Sequence, residues 1–128
     1  MSIPYRLTPL KDNISKSPRK GYYAQVVTKG TVDTTSLCRE IAAGCTLTVA
    51  DLRAAIEAIS SSVADRLMDG YNVYIDGLGT FSLSAESKVV DCEEDLRSPS
   101  VKVKSINFRS AVSLKKTVMN SSFEKIKK

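Results

Sequence analysis

The sequence contains no histidine, and its three cysteines form no CxxC pair. The absence of histidine removes the commonest general base, the commonest metal ligand, and any Ser-His or Cys-His nucleophile pair. An odd number of widely spaced cysteines favours neither a disulfide framework nor a zinc site. We therefore expect a protein that is not an enzyme and that needs no cofactor, metal or small-molecule substrate.

Long apolar stretches are also missing. No run approaches the roughly 18 apolar residues that span a bilayer, and the start of the chain lacks the apolar stretch of a secretory signal. The sequence therefore predicts a cytoplasmic protein with no membrane partner. Its 128 residues suit one compact domain with ordered tails.

The formal net charge of +5 is unevenly distributed along the chain. Residues 1–30 carry six Lys or Arg and one Asp, and residues 101–128 carry eight Lys or Arg and one Glu. The segments 31–69 and 70–100 are each dominated by six acidic residues. Basic ends beside an acidic middle are typical of a polyanion-binding protein, although solvated lysine-rich tails produce the same pattern.

The first half of the chain contains signals for one strand and two helices. The Pro, Lys and Ser content of residues 1–21 predicts an extended arm with little structure of its own. The Tyr and Val content of residues 22–27 predicts a strand. Helical spacing of apolar residues predicts a short helix over 34–43. A capping box at Thr48 and Asp51 then begins a long amphipathic helix that ends before Gly70.

The second half changes to a period of two. Tyr71, Val73 and Ile75 alternate with polar residues, a tight turn follows at 76–79, and the alternation resumes over 80–85. These segments predict a hairpin.

The chain after the hairpin predicts an exposed excursion, a strand and a helix. The excursion covers 84–100 and is polar. A change of apolar parity over 101–108 predicts a third strand with a bulge near Ser105. Residues 111–119 predict a helix, and 120–128 a basic tail.

A short motif in this order of elements is specific enough to indicate a family. Gly77-Leu78-Gly79-Thr80-Phe81 follows a Val-x-Ile strand, and Phe108-Arg109 leads into Leu114-Lys115-Lys116. With these motifs, residues 34–119 resemble the bacterial histone-like HU/IHF family, in a variant with an N-terminal extension.

The resemblance implies an α+β fold with two N-terminal helices, a three-stranded antiparallel sheet with a β-ribbon arm, and a C-terminal helix, in an intertwined homodimer. It implies a nucleoid-associated protein that binds double-stranded DNA architecturally, largely without sequence specificity, through backbone and minor-groove contacts. The family's saddle turn corresponds to Gly77, Gly79, Thr80 and Phe81. Its DNA-binding positions correspond to Lys88, Arg97, Lys102, Lys104, Arg109, Lys115 and Lys116.

The excursion departs from the family's pattern. The family's arm tip carries an Arg-Asn-Pro type motif, whereas the middle of this excursion contains Asp91, Glu93, Glu94 and Asp95. Acidic side chains repel phosphates, which argues against insertion of an apolar wedge and against sharp bending. Backbone binding by Lys102, Lys104 and the terminal lysines is left intact. Whether DNA is bent, whether DNA or RNA is preferred, and how the extension packs stay open.

The cysteines are expected to serve structure rather than chemistry. Cys38 and Cys45 lie seven residues apart on one helical face, which predicts core positions. Cys92 lies in the polar excursion, and its acidic neighbours disfavour a thiolate.

The chain is predicted to comprise a basic extension (1–30), an HU/IHF-like domain (31–120) and a basic tail (121–128). Two hypotheses about its function follow. The first is architectural binding of duplex DNA by a homodimer, which predicts an affinity that falls steeply with salt. The second is an HU-like dimeric module for protein interaction or assembly, with the acidic excursion and the 22–27 strand as contact surfaces.

Overall fold

The structure, a computed structural model, describes residues 2–10, 21–87, 89, 91–95, 97 and 100–126. It is an α+β protein with three helices and two three-stranded sheets in the described part of the chain. In chain order the elements are β1 (Ser2–Pro9), β2 (Tyr22–Val26), α1 (Thr34–Ala43), α2 (Val49–Met68), β3 (Val73–Ile75), β4 (Gly79–Glu86), β5 (Lys102–Ser110), α3 (Val112–Met119) and β6 (Ser122–Lys125). They fall into two units, residues 34–116 and residues 1–33 with 117–128.

In the 34–116 unit, the predicted order of helix, helix, three strands and helix is confirmed, and α3 runs on into the other unit. The predicted capping box at the start of α2 is also confirmed. The Asp51 backbone N–H donates to the Thr48 hydroxyl oxygen at 3.1 Å, and the Thr48 N–H donates to the Asp51 carboxylate at 3.2 Å. A hydrogen bond with the Thr48 side chain, and to a smaller extent one with the Thr48 backbone, holds the pKa of Asp51 below its ordinary value.

The strands of this unit form an antiparallel sheet in the order β3-β4-β5. Strand β3 begins at Val73 rather than at the predicted Tyr71. The Tyr71 N–H instead donates to the Arg66 carbonyl near the end of α2. The predicted bulge near Ser105 is confirmed. Ser84 lies opposite Ser105, but the next residue of β4, Ala85, lies opposite Val103, so Lys104 is the extra residue of β5.

This unit has few buried side chains. Among the described residues only Cys38, Leu67 and Ala111 are buried apolar residues. The core position predicted for Cys38 is confirmed, whereas that for Cys45 is wrong. The reason is local, because α1 ends at Ala43 and the helical periodicity that would turn Cys45 inward stops with it.

The other unit is a second sheet, in the order β2-β1-β6. The predicted strand at 22–27 is confirmed by β2, but the expectation that residues 1–21 have little structure is wrong for Ser2–Pro9. That segment pairs antiparallel with β2 and parallel with β6, which also gives the predicted tail a strand at Ser122–Lys125. This pairing brings together residues from the two ends of the chain, so a pattern within one short stretch of sequence cannot predict it. The division of the chain near residues 30 and 120 stays a prediction.

Candidate nucleic-acid interface

The β3–β4–β5 sheet has one polar face and one apolar face, because side chains alternate along each strand. The polar face consists of residues that lie opposite one another in register: Tyr74 with Thr80, Thr80 with Arg109, Ser82 with Asn107, Ser84 with Ser105, and Glu86 with Lys102. The apolar face consists of Val73, Ile75, Phe81, Leu83, Ala85, Val103, Ile106 and Phe108.

A hydrogen-bonded cluster occupies the middle of the polar face. The hydroxyl oxygens of Ser84 and Ser105 are 2.8 Å apart, and the Ser105 hydroxyl donates to the Asn107 Oδ1 at 3.1 Å. The Asn107 Nδ2 donates to the Ser84 hydroxyl oxygen, also at 3.1 Å. The three side chains fix one another's orientation across β4 and β5. They present a neutral surface on which the second Nδ2 hydrogen of Asn107 is the spare donor and the oxygens keep spare lone pairs.

Cationic side chains lie on both sides of this cluster along β5. Lys102 and Arg109 belong to the polar face, and Lys104 is the extra residue of the bulge between them. All three residues are exposed. In the part of the chain that the structure describes, no carboxylate oxygen lies within 4.0 Å of their charged nitrogens. None of the three is held in an ion pair there, and Glu86, opposite Lys102 in register, is the one carboxylate that β4 contributes to the polar face.

Two glycines set the turn that leads into this face. Gly77 has φ +79°, a backbone conformation that glycine adopts without strain, and the Leu78 N–H closes the turn onto the Ile75 carbonyl at 3.0 Å. Gly79 lies where a Cβ atom would press on the Arg109 carbonyl oxygen and approach the Phe108 ring to 2.9 Å. Both glycines of the proposed saddle thus have a structural reason in this chain.

The two other saddle residues lie on opposite faces of the sheet. Thr80 is on the polar face beside Arg109, whereas Phe81 is on the apolar face. The ring of Phe81 contacts that of Phe108 with centroids 5.0 Å apart and an interplanar angle of 50°. The structure therefore places Thr80, and not Phe81, with the polar groups.

The remaining cations from the sequence prediction lie elsewhere. Arg97 is exposed on the excursion between β4 and β5, and its carbonyl accepts the Ser100 N–H at 2.9 Å. Lys115 and Lys116 are exposed on α3. Lys88 lies outside the described residues. The structure thus brings Lys102 and Arg109 onto one surface and leaves their proposed contact with DNA a prediction.

Six residues of the polar face are absent from the sequence prediction: Tyr74, Ser82, Ser84, Glu86, Ser105 and Asn107. The signal for them is the alternation itself, because they occupy the strand positions between the apolar ones. On β5 the bulge hides this signal, because the polar face is formed by even-numbered residues before the bulge and by odd-numbered residues after it.

The described residues contain no cluster of three or more potential metal-ligating side chains. Cys92 is exposed, as predicted for the excursion. None of the helices in the described ranges combines the length and apolarity needed to cross a bilayer.

Comparisons with known proteins show a likeness in fold and in family. No curated protein matches the chain. Among solved structures, the chain is similar to the crystal structure of a protein from Bacteroides vulgatus ATCC 8482 described as a "putative bacterial DNA binding protein", with a TM-score of 0.70 and 16% sequence identity. The match covers 98% of this chain and 48% of that one, so the chain spans about half the length of its structural neighbour.

A protein-family comparison extends the likeness from fold to family. Residues 1–125 match HU-HIG, described as an HU domain fused to a wHTH, Ig or glycine-rich motif. The match includes both sheets and all three helices, so the resemblance seen in Gly77–Phe81 and Phe108–Lys116 is confirmed at the level of the family. The chain belongs to the HU-HIG family of HU domains.

Proposed function

We propose that the chain binds duplex DNA as a homodimer, through the polar face of the β3–β4–β5 sheet and with little sequence preference. The observation that carries the proposal is the composition of this face. Lys102 and Arg109 flank a neutral hydroxyl and amide cluster, and neither has a carboxylate within 4.0 Å in the described ranges. Membership of an HU family and a structural neighbour described as DNA-binding support the same reading.

The spacing of the two cations suits a phosphate backbone. Lys102 and Arg109 are seven residues apart on β5, which corresponds to about 23 Å at roughly 3.3 Å per strand residue, shortened slightly by the bulge. Duplex DNA carries one negative charge per roughly 1.7 Å of its axis, so the two cations meet different phosphates. Hydroxyl and amide groups between them can donate to phosphate oxygens, contacts that position a protein without reading sequence.

The homodimer is proposed because a single copy leaves its apolar face uncovered. Val103, Ile106 and Phe108 are 61%, 64% and 52% exposed in one chain. Contiguous exposed apolar surface of this kind marks a protein–protein interface. The three buried apolar residues among those the structure describes are also few for a stable core. An intertwined HU-type dimer would cover the apolar faces of both copies and present both polar faces to DNA.

The acidic excursion shapes the proposed mode of binding. Asp91, Glu93 and Glu94 are exposed, and the last two begin a short 3-10 helix. Carboxylates next to phosphates are repulsive, so we place the attraction on β5 and α3 and not at the middle of the excursion. Backbone neutralisation without wedge insertion is the mechanism that this charge distribution favours.

The test is fluorescence anisotropy of a short labelled duplex titrated with the full chain at several salt concentrations. We expect saturable binding that weakens steeply with salt. The double variant Lys102→Gln/Arg109→Gln removes four cations per dimer, so the slope of log K against log salt should become shallower by up to about 3.6. The matched control Lys29→Gln/Arg39→Gln loses the same charge at exposed positions outside the sheet and should bind as the wild type.

Two results would contradict the proposal. The first is no saturable binding at low salt, and the second is an equal loss in both double variants. The first would favour the alternative, an HU-like dimeric interaction or assembly module. The second would show that DNA binding does not depend on the polar face. The specific observation behind that alternative is strand β2, in which each of the five residues is exposed.

A further inference from the structure

Strand β2 has one paired edge and one edge that no described residue pairs with. It lies at the end of the β2-β1-β6 sheet. On its paired side, the Val27 N–H donates to the Pro4 carbonyl and the Leu10 N–H donates to the Gly21 carbonyl, both at 2.9 Å. Hydrogen-bonded and non-hydrogen-bonded pairs alternate in an antiparallel ladder, so these bonds set which β2 residues face β1.

The alternation directs three residues of β2 away from its neighbour. Tyr23 and Gln25 share parity with Val27, so their backbone groups face β1. The backbone N–H and C=O groups of Tyr22 and Ala24, and likewise those of Val26, point outward. Within the described ranges these outward groups have no backbone partner.

The outward edge of β2 is the least protected of the four sheet edges in the described chain. Strand edges are normally shielded from pairing by charge, proline, bulges or shortness. The β5 edge carries three cations and a bulge, β3 has only three residues, and β6 contains Glu124 and Lys125. In contrast, β2 reads Tyr-Tyr-Ala-Gln-Val, all exposed, with no charge, no proline and no register shift against β1.

We propose that β2 pairs with β2 of a second copy of this chain, antiparallel and centred on Ala24. In this register Ala24 lies opposite the partner's Ala24, and Tyr22 lies opposite the partner's Val26. The outward backbone groups of both strands then meet as hydrogen-bonded pairs. Aromatic residues opposite β-branched residues stabilise antiparallel strands, and no like charges face each other.

The self-complementary sequence is the reason for choosing a second copy as the occupant. The same strand supplies both halves of the Tyr22–Val26 contact, which is the requirement of a two-fold symmetric interface. Tyr22 is 72% and Val26 is 59% exposed in one chain, so both have surface to cover. Because Val26 lies opposite Tyr5 and Ala24 opposite Leu7, the joined sheets would also share one continuous apolar face.

Such pairing adds an assembly contact in a different unit from the proposed DNA-binding face. A chain with two-fold contacts in both units links dimers into larger assemblies unless the two axes coincide. The pairing needs neither Lys102 nor Arg109, so it stands or falls independently of DNA binding.

The experiment uses two charge variants of the full chain, Ala24→Lys and Ala24→Glu, alone and mixed in equal amounts. Alone, each variant places like charges opposite one another, whereas the mixture places Lys opposite Glu. Amide hydrogen exchange at residues 22, 24 and 26 reports the pairing. We expect protection in the wild type, loss of protection in each single variant, and its return in the mixture. Val32→Lys and Val32→Glu add the same charges in an exposed loop and should keep full protection alone.

Three results would overturn the pairing. Fast exchange of these amides in the wild type would show that the outward edge is unpaired. Protection that persists in both single variants would show that the edge is covered from within the same chain. A mixture that stays unprotected while circular dichroism shows both variants folded would exclude the Ala24-centred register.

Discussion

The apolar face of the β3–β4–β5 sheet provides a quantitative test of the proposed homodimer. Ile106 is 64% exposed in a single chain. Full burial of an isoleucine side chain contributes about 1.5–3 kcal/mol, so covering the exposed part in a dimer would contribute about 1–2 kcal/mol per copy. Ile106→Ser removes this contribution from both copies. We therefore expect dimer stability to fall by about 2–4 kcal/mol, which raises the dissociation constant by about 30- to 1000-fold.

The assay is sedimentation equilibrium over a range of concentrations, with thermal unfolding at the same concentrations. If folding is coupled to association, the midpoint of unfolding rises with protein concentration. Making the variants in the Ala24→Lys background keeps association through β2 out of the measurement. Val32→Ser is the matched control, because Val32 is 67% exposed in a loop and its replacement should change stability by no more than about 0.5 kcal/mol.

The reasoning would be refuted by a monomeric wild type whose unfolding midpoint is independent of concentration. It would equally be refuted if Ile106→Ser had no larger effect than Val32→Ser. In that case the exposed apolar face would be ordinary surface of a monomer.

Three further predictions concern folding. Gly79→Ala should destabilise the chain by about 2 kcal/mol or more in urea unfolding, because its Cβ presses on the Arg109 carbonyl oxygen and the Phe108 ring. Thr48→Ala should cost about 1 kcal/mol by the same measurement, since it removes the side-chain half of the capping box. The lowered pKa of Asp51 makes its contribution to stability fully present above the ordinary value of 3.8 and lost as pH falls through the lower folded pKa. Asp51→Asn should therefore flatten the acid limb of a stability–pH curve.

Each of these predictions has a control or a contradicting result. Gly21→Ala should leave stability nearly unchanged, because no atom lies within 4 Å of its added Cβ. Thr48→Ser keeps a hydroxyl at the N-cap and should lose much less than Thr48→Ala. An unchanged acid limb in Asp51→Asn would show that the capping carboxylate titrates alike in folded and unfolded chains.

Local signals in the sequence account for most of the 34–116 unit. The α2 start was predictable because Thr48 and Asp51 satisfy backbone groups within one turn of each other. The hairpin was predictable because Gly77 supplies the positive φ of the turn between two alternating segments. The bulge was visible as a change of parity before Ile106. In each case the deciding interaction joins residues close in sequence.

The candidate site was only partly predictable. Lys102 and Arg109 were recognisable as cations on a strand, and the family resemblance suggested their role. Their joint placement with Ser84 depends on the β4–β5 register, which crosses the whole excursion. The exclusion of Phe81 from the polar face likewise follows from the pleat of the paired strands.

The sequence alone determined the order of elements over residues 34–119, the cap at Thr48, the turn at Gly77 and the family resemblance, because periodicity and local backbone chemistry act over a few residues. Only the tertiary structure decided the second sheet, in which Ser2–Pro9 pairs with Ser122–Lys125 at the far end of the chain. It also decided the polar face of β4 and β5. These outcomes depend on contacts between distant segments, whose closure rests on the packing of the whole chain and leaves no periodic mark in any one segment.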